Sequence, residues 1–143
     1  MITTVTHQQD KIIKKSFKEI APKGEQIVSR FVDKLFETDP QVRGLFPENV
    51  TEQSQQIIDV VKLIAHNAVK LNTIEDQLVE IGRRFISYGL TTAQLDIVRN
   101  TIVSTFAEVV GESWNSQIAD AWTSVFSAVV ETFEQTGQIR QAA

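Results

Sequence analysis

From Asn115 onward the chain places Ile118, Ala121, Trp122, Val125, Phe126, Val129, Val130 and Phe133 at steps of three and four residues. That spacing draws one continuous apolar stripe along a helix of 3.6 residues per turn, and it does not match the two-residue alternation of a half-buried strand. The preceding segment repeats it with Leu95, Val98, Ile102, Phe106 and Val109. From Gln56 to Leu71 the apolar residues are denser: Ile57, Ile58, Val60, Val61, Leu63, Ile64, Ala65, Ala68 and Val69. A helix apolar around most of its circumference is buried between others. Strand-like alternation joined by hairpin turns is not seen, so the pattern predicts an all-α class.

Local signals divide this pattern into elements. Pro22, Pro40 and Pro47 all fall in the first third, which leaves the rest free to run as long helices. Thr6 with Gln9, Thr73 with Asp76 and Thr91 with Gln94 have capping-box spacing or a close relative of it. Asp39-Pro40 reads as an N-cap followed by proline at the first helical position. Helices are predicted near 7–20, 23–37, 39–45, 51–72, 74–87, 92–111 and 115–136. No linker or repeat divides residues 1–143, which are expected to form a single domain.

Composition excludes several functions. The chain has no cysteine, which removes disulfides, thiolate metal sites and thiol nucleophiles. A formal charge of −4 argues against a nucleic-acid or anionic-membrane binder. Lys11, Lys14, Lys15 and Lys18 interleave with Ile12, Ile13, Phe17 and Ile20 and read as the solvated face of an amphipathic helix. No apolar run reaches the roughly 18 residues of a membrane helix. Met1-Ile2-Thr3-Thr4 does not open a secretory signal, so a cytoplasmic location is expected. With His7 and His66 far apart and no glycine-rich loop, neither a triad nor a phosphate cradle assembles, and no enzymatic activity is expected.

Read in order, the landmarks resemble the bacterial single-domain globins and the globin part of flavohaemoglobins. Arg30-Phe31-Val32-Asp33-Lys34-Leu35-Phe36 followed by Asp39-Pro40 is similar to that group's second helix and corner. Leu45-Phe46-Pro47 is similar to the corner that places a phenylalanine against the haem face. Glu52-Gln53, with Ile57 one turn later, resembles the start of the distal helix. Gly82-Arg83-Arg84 through Tyr88-Gly89 resembles the proximal segment, and Ala121-Trp122 the opening of the last helix. The likeness spans nearly the whole chain and implies a globin-like fold, about seven helices around a central pocket. Unequal helices with a very short third one suit that arrangement better than a regular four-helix bundle.

The resemblance also implies which residues form the pocket: Phe46, Gln53, Ile57, Phe85, Val32 and Leu95. Three of them depart from the pattern. Phe85 stands where the family carries its proximal histidine, Val32 where the group commonly carries a ligand-facing tyrosine, and Leu95 where a tyrosine supports the histidine. Phenylalanine has no lone pair for iron, and all three replacements are apolar. Phe85 instead continues the stripe Ile74, Leu78, Ile81. No substitute ligand stands out. His7 lies at the first helix's start, His66 nearly four turns beyond Gln53, and Met1 at the terminus, while Tyr88 reads as a core-edge residue. Arg83 and Arg84 read as solvated charges near a helix end.

The expected function is therefore a non-haem globin, acting as a sensor, a small apolar ligand-binding module or an interaction module. No cofactor and no metal are expected. The alternative is a haem-binding globin with atypical ligation that binds oxygen or nitric oxide. The expected partners are a small apolar ligand or another protein, with a homodimer through the last two helices as one arrangement.

Overall fold

The computed structural model describes residues 5–46, 52, 54–87 and 89–135, with the side chains of residues 43, 45, 84–87 and 135 outside the description. Among the described residues seven α-helices follow in order: α1 His7–Ile20, α2 Gly24–Thr38, α3 Pro40–Leu45, α4 Ser54–His66, α5 Glu75–Ser87, α6 Thr92–Val110 and α7 Ser116–Gln135. Six of them run 13 to 20 residues and α3 has six. Single 3₁₀ turns at Ala21–Lys23, Leu71–Ile74 and Gly111–Ser113 join neighbours. The described residues contain no strand, and the all-α expectation holds.

The start signals act as the spacing predicts at three of four places. Thr6 and Thr91 each accept from the backbone N–H three residues on, and Gln9 and Gln94 return the bond to the cap's own N–H. Asp39 Oδ1 accepts from the N–H groups of Gln41 and Val42 at 3.0 and 3.3 Å, satisfying first-turn donors that the helix itself cannot. Thr73 behaves differently. Its hydroxyl donates back to Lys70 O at 2.7 Å, inside the 3₁₀ turn, so α5 opens without that cap.

The predicted helix over 51–72 is also corrected. α4 stops at His66 because Asn67 turns its side-chain amide onto Leu63 O at 2.8 Å while its backbone N–H bonds to Ile64 O. Those bonds occupy carbonyls that a continuing α-helix would need. Ala68 is still buried, which is why the dense apolar run concealed the stop. Thr51 and Gln53, at the predicted start, lie outside the described residues.

The long helices cover one another in pairs: α6 against α7 and α2, α1 against α7, and α2 against α4. Trp122, Phe106, Phe133, Ile13, Ile20, Ile27, Leu35 and Leu78 are fully buried among them. The Phe106 and Trp122 rings meet edge to face at 5.2 Å, a favoured aromatic arrangement. Two glycines set close crossings. A Cβ on Gly24 would lie 2.8 Å from Ile58 Cγ1, so α2 and α4 touch there backbone to side chain. One on Gly82 would lie 3.0 Å from the Phe133 ring, bringing α5 onto α7.

Candidate functional site

The apolar stripes of α4, α6 and α7 converge on one cavity of about 200 Å³. From α4 come Ile57, Val60, Val61 and Ile64; from α6 come Leu95, Val98 and Ile102; from α7 come Phe126, Val129, Val130 and Phe133. Phe31 of α2, Phe46 just after α3 and Ile81 of α5 complete the apolar wall. Each helix contributes residues three or four apart, so a single face of each lines the space. Gln56 and Arg99 supply the polar groups of the lining. The volume exceeds the roughly 150 Å³ of a dry engineered cavity that admits benzene. It falls below the roughly 300 Å³ at which pockets for drug-sized ligands begin.

Arg99 sits at the edge of this apolar space with its side chain 20% exposed. Its Nη1 donates to Asp96 Oδ1 at 3.1 Å and to Ser127 Oγ at 3.2 Å, and its Nε donates to Asn100 Oδ1 at 3.1 Å. The guanidinium is thus pinned between α6 and α7. Elsewhere, Arg30 and Lys34 of α2 close on Glu108 of α6 at 3.1 and 3.2 Å. The Arg30 hydrogen bond, followed by that of Lys34, holds the Glu108 carboxylate below its ordinary pKa, and the same bond raises that of Arg30. None of these three lines the cavity.

The structure brings Phe46, Ile57 and Leu95 together on the wall of this cavity. Val32 is buried in the core and does not line this cavity, whereas its neighbour Phe31 does. Gln53 and Tyr88 lie outside the described residues. Position 85 belongs to α5, one turn beyond Ile81, and its side chain is outside the description. His7 and His66 are exposed and off the cavity, with the His66 ring meeting Phe17 edge-on at 6.1 Å. Arg83 is a surface charge paired with Glu80 at 2.9 Å.

Arg99 is the residue that the sequence reading passed over. Its signal was present, since it stands four after Leu95 and three before Ile102, a lone charge on the stripe itself.

Residues 29–133 match the family model described as Globin. The chain belongs to the globin family. It is 25% identical over 125 residues to a flavohemoprotein of Oceanobacillus iheyensis, a match covering 85% of this chain and 31% of that protein. It thus spans less than a third of that relative's length. Leghemoglobin-1 of Lupinus luteus is 26% identical over 136 residues, covering 85% of this chain and 88% of that one. Among solved structures, a bacterial globin from Campylobacter jejuni superposes with a TM-score of 0.80 at 17% identity, covering 91% of this chain and 94% of that one. Ferric Aplysia limacina myoglobin with azide follows at 0.76 and 18%, covering 94% of this globin and 99% of the myoglobin. These last two likenesses establish the globin-like fold.

Haem iron is held in proteins by imidazole, thiolate, thioether or phenolate side chains. None of the described residues lining this globin's cavity carries one, and no cluster of three metal-ligating side chains occurs among the described residues. The side chain at position 85 and all of Gln53 and Tyr88 lie outside that description.

Proposed function

We propose that this globin binds a small apolar molecule in the cavity between α4, α6 and α7, and that it ligates no haem iron through a side chain. It acts as a binding or sensing module, with no chemical step assigned to it. The observation that carries this reading is the lining: alkyl and phenyl groups, one amide and one guanidinium, with no iron-ligating side chain among the described residues. The resemblance of residues 82–89 to the proximal segment, with Phe85 at the ligand position, supports it independently. Burial of an apolar ligand in such a space is driven by removal of its surface from water, about 25 cal/mol per Å².

A second reading, haem held with atypical ligation, is favoured by the names of the relatives, a flavohemoprotein and a leghemoglobin. One measurement separates the two. The protein expressed with ample haem should purify without a Soret band, and added haemin should show no saturable uptake. A stoichiometric Soret band from haem bonded to any side chain of this chain would overturn the proposal. Phe85→His supplies the missing imidazole and should raise haemin uptake above wild type; no change would remove residue 85 from the ligand position.

A further inference from the structure

Resting on the apolar-ligand reading above, we propose that the cavity takes a compact apolar monocarboxylate, whose carboxylate is bound by the free amino group of Arg99. A guanidinium has five N–H donors in a rigid planar fork and can serve acceptors on more than one edge. In Arg99 both donors of Nη1 are taken by Asp96 and Ser127, and Nε by Asn100. Among the described residues Nη2 has no acceptor, and the residue lines the cavity. Among the described residues the wall around it is otherwise alkyl and phenyl apart from Gln56. A ligand satisfying both features is apolar along its body and anionic at one end. The anchors matter as much as the charge: tying Nη1 and Nε to α6 and α7 fixes the fork before the ligand arrives, which lowers the entropy lost on binding. Asp96, with its side chain 45% exposed, already neutralises part of the guanidinium charge, so the site should respond to its removal.

The experiment is calorimetric titration of the full chain with octanoate and with 1-octanol, which share an alkyl body and differ in the head group. Octanoate should bind at least about tenfold more tightly, the contribution of one charge-assisted hydrogen bond. Arg99→Met should abolish that preference, so that octanoate binds no more tightly than octanol in the same variant. Asp96→Asn should tighten octanoate several-fold and leave octanol unaffected, a gain that misfolding cannot mimic. If Arg99 only ties α6 to α7, octanol and octanoate will bind alike and both variants will leave their ratio unchanged; that result overturns the assignment while the apolar-ligand reading stands. If neither probe binds, both fall.

Discussion

The indole N–H of Trp122 donates to Ser16 Oγ at 2.8 Å, and that hydroxyl donates in turn to Ile12 O at 2.7 Å. Both residues are buried, so the hydroxyl is what allows a polar indole edge inside an apolar core. Ser16→Ala should destabilise the fold by about 1–3 kcal/mol, because the N–H is left unpaired. In a Trp122→Phe background the same change should be nearly neutral, and urea unfolding of the four proteins in this cycle measures the difference. The Arg30–Lys34–Glu108 group works differently because it is exposed. The Glu108 pKa is depressed in the folded state, chiefly by its hydrogen bond to Arg30. Its contribution is therefore present above the ordinary glutamate range and is lost as pH falls through the lower folded value. Glu108→Gln should remove a small component of acid sensitivity that sets in as pH falls below the ordinary glutamate range, and salt should weaken that component in the wild type.

At the scale of elements, the caps and the glycine crossings carry different kinds of information. Thr6, Asp39 and Thr91 are readable in the sequence because a cap bonds to residues two or three positions away. The end of α4 was not readable. It depends on Asn67 choosing Leu63 O over continued helix while Ala68 stays buried, and the apolar pattern runs straight through both. Gly82 looked like part of a family motif; the structure shows it as the contact of α5 with Phe133 of α7. Gly82→Ala should improve helix propensity by about 1 kcal/mol. Overpacking against a ring only 3.0 Å away should outweigh this, at about 1–3 kcal/mol, unless Phe133 shifts. Thermal melting gives the net sign, and Phe133→Leu in the same chain should relieve the penalty.

For the whole molecule, the cavity is a store of stability that a ligand can claim. If it is occupied in the folded state alone, 1-octanol at 100 times its Kd should stabilise the protein by about 2.7 kcal/mol, visible as a rise in Tm. Val98, half-buried on the cavity wall, offers a way to close it. Val98→Phe should leave the helical circular dichroism intact and eliminate the octanol-dependent rise, because the ring occupies space that the ligand needs. A persisting rise in that variant would place the ligand elsewhere.

The periods of the apolar residues, together with the short-range chemistry of their caps, were enough to establish the all-α class and the approximate positions of the helices, while Phe46, Ile57 and Leu95 were singled out by the family resemblance alone. These properties are encoded within one or two turns of chain, where helix geometry is the same in every protein. Tertiary structure alone decided that Phe31 rather than Val32 faces the cavity, that Arg99 stands at its edge, and how much space remains between the helices. A cavity is what is left over when side chains far apart in sequence have packed. Its volume and the place of Arg99 on its edge emerge only when α4, α6 and α7 are brought into contact.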